Sequence, residues 1–198
     1  MSDDEESSST GTDTDTDADT DAGEHSSEDA DGSGHPENRG STDPDEDDWA
    51  ELLEDEAEIA AEYREHGWEV TTLRPEDVTP AEGQGQVGFD VLVPDEEYET
   101  VESLLEEEGV TVDGAEVFSR VVDDTVYALA VELDEEDGTA VVIPMYYRPS
   151  AATDVVESAL EDGELSLYVR PREGDRWVTF FHEDPSPFVP EDPDSEAS

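Results

Sequence analysis

Three glycines, Gly83, Gly85 and Gly88, stand at the G-x-G-x-x-G spacing of loops that wrap a phosphate. Such a loop must follow a strand and open a helix whose N-terminus faces the pyrophosphate. Here it opens 89-FDVLV-93, apolar and β-branched, which reads as a strand. A kinase-type glycine loop does lie between strands, but its chemistry needs a lysine on the phosphates and an H-R-D loop, and the chain contains neither. A Walker loop fails for the same missing lysine. The triad therefore reads as a mobile loop between strands, and no nucleotide or other cofactor is expected.

A second group lies near the carboxyl end. Arg148, Arg170, Arg172 and Arg176 fall close together in sequence, beside Tyr146, Tyr147, Tyr168, Trp177 and His182. Guanidinium forks match carboxylate and phosphate, so arginines on neighbouring strands form a candidate anion site. The ligand-binding candidates are Arg148, Arg170, Arg172, Arg176, Tyr147 and His182. Pairing of the same arginines with the chain's own abundant carboxylates is the stronger reading. In 182-HEDPSPF-188, His182 is the one candidate for acid or base work near neutrality, but no G-x-S-x-G elbow or H-E-x-x-H pair accompanies it. It reads as a strand end leaving through an Asp-Pro turn, and no catalytic residue is assigned. Asp17, Asp19, Asp21 and Glu28 have calcium-loop spacing, but Ala22 occupies the position that needs glycine. No metal site is expected beyond diffuse K+ and Na+ around the carboxylates.

The elements that would carry these residues are legible from periodicity. Residues 1–46 include 12-TDTDTDADTDAG-23 and hold almost nothing to bury, which predicts disorder, as it does for 191–198. Residues 47–190 form the candidate domain, long enough to bury over half of its unfolded surface. A helix from Asp48 to His66 presents Trp49, Leu52, Leu53, Ala57, Ala60 and Tyr63 on one face. A second runs from Asp95 to Gly109 and a third from Ser150 to Gly163. Strands are predicted at 68–73, 89–93, 115–122, 125–133, 139–147, 164–170 and 176–182, with turns short enough for antiparallel hairpins. The fold class is α+β: one domain with a largely antiparallel sheet, in the order α-β-β-α-β-β-β-α-β-β. The strand 139-TAVVIPMYY-147 is apolar on both faces, so helices or a second subunit must cover both sides of it.

Composition bounds the setting. The chain carries 61 acidic residues against 8 basic ones, a formal net charge of -53, and all the basic residues are arginine. A carboxylate coat without lysine reads as adaptation to molar salt. The charge opposes binding of nucleic acid, whose affinity rests on basic residues neutralising phosphates, and of anionic membranes. Cysteine is absent, which removes disulfides and thiolate chemistry. No apolar run reaches the length of a membrane span, and the acidic amino terminus is unlike a signal peptide, so a cytoplasmic location is expected.

The stretches 65-EHGWEV-70, 89-FDVLVPDEEYE-99, 144-PMYYRP-149, the V-R-P at Val169 to Pro171, and 178-VTFFHEDPSPF-188 together resemble a family of uncharacterised haloarchaeal proteins, a domain of unknown function. The resemblance spans Trp49 to Phe188 and brings no functional residues with it. The expected role is a non-enzymatic binding or self-association module, with another protein or a second copy as partner. The alternative is a small anionic-ligand binder or enzyme centred on the C-terminal Arg, Tyr and His cluster.

Overall fold

Alternation of side chains along the strands decides the architecture. In a computed structural model, which describes residues 43–83 and 86–189, three helices and eight strands follow in the order α1 (Glu46–Glu65), β1 (Glu69–Thr72), β2 (Asp77–Gly83), β3 (Gln86–Val93), α2 (Asp95–Glu106), β4 (Gly114–Val122), β5 (Thr125–Asp134), β6 (Thr139–Tyr147), α3 (Thr153–Asp162), β7 (Leu165–Pro171) and β8 (Val178–His182). The strands form two four-stranded mixed sheets, β1-β6-β5-β4 and β2-β3-β7-β8. Within them, β1 with β6 and β3 with β7 are parallel, and the other four pairings are antiparallel. The α+β class and the three helices are as expected. The order gains one strand, β2, and the strands divide between two sheets. The acidic run at Asp17 to Glu28 and the motif's Gly85 lie outside the described residues.

Strand β6 explains the two-sheet arrangement. All nine of its residues are buried. Tyr146 meets Trp49 of α1 edge to face at 5.3 Å, whereas the next residue, Tyr147, stacks against Phe89 of β3 at 4.7 Å. Alternate side chains thus face α1 on one side and the second sheet on the other, so the chain itself covers both faces. Pro144, within β6, lies beyond the stretch of β6 that pairs with β1, where its missing N–H costs no ladder bond on that side.

Helix α1 is capped by Asp45, whose side chain accepts from the Asp47 N–H at 3.0 Å, and its acidic first turn suits the helix dipole. Its buried line is Leu52, Glu56 and Ala60, so Glu56 and not Ala57 occupies the inward position; Ala57 is exposed. Arg74, just past β1, donates to the buried Glu56 carboxylate. Burial nevertheless dominates and raises the Glu56 carboxyl above its ordinary range, with Arg74 opposing. Arg120 of β4 reaches Glu51 at 2.9 Å and Asp55 at 3.6 Å, tying α1 to the edge of the first sheet.

Two of the three motif glycines, Gly83 and Gly88, lie in a hairpin. Gly83 ends β2 and pairs with Gln86 at the start of β3. Gly88 lies inside β3, opposite Ser166 of β7, where an added Cβ would sit 1.8 Å from the Ser166 carbonyl oxygen. Glycine is required there because the neighbouring backbone occupies the space a side chain would need. Gly88→Ala must push β3 and β7 apart, an overpacking cost of about 3 kcal/mol. Urea titration at constant salt measures it, and a change under about 0.5 kcal/mol would contradict the close approach.

Candidate functional site

The inward-facing side of β5 carries Val126, Ala128, Ala130 and then Glu132, a carboxylate where the pattern calls for an apolar residue. Glu132 is 1 % exposed. Across the gap between sheets, the inward side of β8 carries Phe180 and His182, both buried. Glu132 Oε1 and His182 Nε2 stand 3.1 Å apart. The distance suits a hydrogen bond but the N–H direction does not, so Nε2 and both carboxylate oxygens are sealed from solvent without a hydrogen-bond partner. A buried carboxylate with no donor is stabilised only by a neighbouring positive charge or by taking up a proton. The pair therefore sets polar groups of the two sheets against each other in the buried space between them. The His182 ring also packs at 4.7 Å on Phe188, which is fully buried.

His182 lines an open groove of about 810 Å³ between β4 and β8. Each strand is the last of its sheet. The lining takes in Thr179 through His182 consecutively on β8, and residues 111–115 consecutively on the approach to and start of β4. Successive strand side chains point to opposite faces, so an unbroken run lines only a groove that follows the strand edges. One wall is held by Asp134, which accepts from the Thr111 N–H at 2.7 Å and from the Glu136 and Asp137 N–H groups at 3.0 Å each. The bonds from Asp137 and then Thr111 lower its carboxyl below the usual range. At the far end, 182-HEDPSPF-188 turns back over β4: Asp184 accepts from the Ser186 N–H at 3.0 Å, and the Ser119 hydroxyl donates to the Pro187 carbonyl at 2.7 Å. The Asp-Pro turn expected after His182 thus becomes a clasp closing one end of the groove.

The six candidate ligand residues occupy separate places. Arg170 and Arg176 line a shallow pocket of about 500 Å³ on the outer side of the second sheet, with Tyr168 and Trp177. His182 lines the groove on the inner side. Tyr147 lines a third pocket, and its hydroxyl donates to the Phe188 carbonyl at 2.7 Å, with burial pushing its pKa up to about 12. Three of the four arginines lie against carboxylates: Arg170 near Asp90 at 3.7 Å, Arg176 on Glu102 at 2.8 Å and over the Tyr98 ring at 5.3 Å, and Arg172 on Glu76. The Arg172 bond holds the Glu76 carboxyl below its ordinary range. Arg148, half-buried at the end of β6, has no ion pair among the described residues.

Sequence reasoning missed Glu132. The available signal was an acid following Val126, Ala128 and Ala130 at the inward positions of β5, two residues before the Asp134 that ends the strand, matched by a histidine at an inward position of β8. Among the described residues no group of three or more His, Asp or Glu side chains is arranged to hold a metal ion, and no helix is long and apolar enough to cross a membrane.

Comparison with curated proteins and with solved structures finds no match. A family model, described as a family of unknown function (DUF7529), matches residues 37–190, which includes every element described above. The chain belongs to this family of unknown function.

Proposed function

We propose that this chain is a non-enzymatic binding module that accepts an extended polypeptide strand in the groove between β4 and β8. The observation that carries the reading is the unbroken run of lining residues along two strand edges. An edge strand offers its outward N–H and C=O groups to any chain that can lie beside it. The absence of chemistry is supported by the geometry of His182, whose Nε2 faces Glu132 inside the protein and is closed off from the groove. The arginine cluster lends less support to an anion site, since three of its guanidinium groups lie against the chain's own carboxylates. The net charge of -53 and the absence of lysine support a host with molar salt in its cytoplasm, of the haloarchaeal kind.

Ala115, exposed on the groove wall, provides the test. Extended peptides selected by display against the intact chain in 2 M KCl should lose at least tenfold in affinity for Ala115→Trp, which fills the groove without touching the core. Failure to select any peptide, or peptides indifferent to Ala115→Trp, would sink the reading.

A further inference from the structure

The groove carries a charge pattern that narrows its occupant. Asp113 stands on the β4 side, and Glu183 and Asp184 follow β8 on the other. No arginine lines the groove, and His182, its one basic side chain, is turned toward Glu132. Two of the rim acids keep their places through bonds to the chain's own backbone: Asp113 accepts from the Glu135 N–H at 3.1 Å and Asp184 from the Ser186 N–H. Each keeps further lone pairs for a partner, and Ser186 holds the Asp184 carboxyl below its ordinary range, which keeps it charged. We infer that the groove takes a basic, extended segment of another protein, laid as an added strand along the free edge of β8 with arginine or lysine side chains reaching Glu183, Asp184 and Asp113. This rests on the strand-acceptor reading above and adds the chemistry of the partner.

Strand β8 is the favoured edge because its consecutive residues Thr179 to His182 all line the groove, whereas β4 is closed from Ser119 onward by the clasp. An added strand would alternate its side chains between the His182 and Phe180 side and the Phe181 side; Phe181, 54 % exposed, gives the outer row an apolar neighbour. A second copy of this chain is a poorer occupant, because its own edge strands bring Glu116 and Glu183 against the same acidic rim. In molar salt the Debye length falls to about 3 Å, so long-range steering is lost while contact bonds between guanidinium and carboxylate persist. The selectivity therefore comes from contact at the rim and survives at the salt concentration where the general attraction of a polyanion for cations is screened.

Three synthetic eight-residue peptides of alternating valine with arginine, serine or aspartate serve as probes against the intact chain in 2 M KCl. Binding is read by anisotropy and location by amide hydrogen exchange. The arginine peptide should bind at least tenfold tighter than the other two and slow exchange at Thr179–His182, and Asp113→Asn with Glu183→Gln should weaken it about tenfold while exchange in β5 and β6 stays unchanged. Equal binding of all three peptides with β8 protected would overturn the basic-partner inference and leave the strand-acceptor reading standing. Binding of the arginine peptide without protection of β8 would overturn it as general polyanion attraction. Protection of β8 by the chain's own concentration-dependent association, with no peptide bound, would give the edge to a second copy and overturn it as well.

Discussion

His182→Leu lowers the stability of the domain by about 3 kcal/mol, whereas the double variant Glu132→Leu with His182→Leu returns to within about 1 kcal/mol of the parent. The difference follows from what is left behind. Without the imidazole, the Glu132 carboxyl stays buried with neither oxygen given a hydrogen-bond partner, a penalty that removing both polar groups together avoids. Leucine is close to histidine in volume, so the effect is not confounded by a cavity. Urea titrations at constant 2 M KCl check this; a double variant no more stable than His182→Leu alone would mean that the two groups are not coupled. If the double variant is as stable as the parent, the pair contributes no net stability over apolar residues of the same size.

The residues show why parts of this molecule are readable from sequence and others are not. The helix signals are local: Gly163, at φ 74°, ends α3 in the left-handed conformation, and the Asp45 cap with its acidic turn opens α1. Strand β6 is legible because nine consecutive apolar or neutral residues have no other stable use. Strand β2 escapes notice because 77-DVTPAEG-83 has the composition of a loop and earns its place as an edge strand, which tolerates Pro80. The division into two sheets escapes it too, since both parallel pairs, β1 with β6 and β3 with β7, join strands remote in sequence. The site has the same difficulty in sharper form. Glu132 and His182 are 50 positions apart by their numbering, and each alone looks like a surface residue at a strand end. The arginines, by contrast, are conspicuous in an acidic chain for their rarity, yet rarity of a charge surrounded by its opposite favours local pairing, and Arg172 on Glu76 and Arg176 on Glu102 are its products.

Transfer from 2 M KCl to 20 mM buffer should abolish the cooperative fold altogether. Two like charges about 10 Å apart in water repel by roughly 0.4 kcal/mol. At 0.1 M salt the Debye length of about 10 Å leaves roughly a third of that, and at 1 M the length of about 3 Å leaves a few per cent. A chain with a net charge of -53 holds many such pairs, and a few tens of them left unscreened match the about 5–15 kcal/mol by which a domain is ordinarily stable. The structure places part of this repulsion where it cannot relax. Glu51 and Asp55 share the single guanidinium of Arg120, and the first turn of α1 sets Glu46, Asp47 and Asp48 beside the Asp45 cap. The Asp48 carboxyl lies above its ordinary range, chiefly through desolvation and then through Asp45, with Arg120 opposing. Near-ultraviolet circular dichroism and the exchange of β6 amides, followed from 2 M to 20 mM KCl, report the loss. Potassium sulfate at matched ionic strength separates screening from the strengthening of apolar burial, since sulfate adds the second effect to the first. Retention of protected β6 amides at 20 mM would show that the core outweighs the repulsion of its own surface, and would leave the acidic composition without a role in stability.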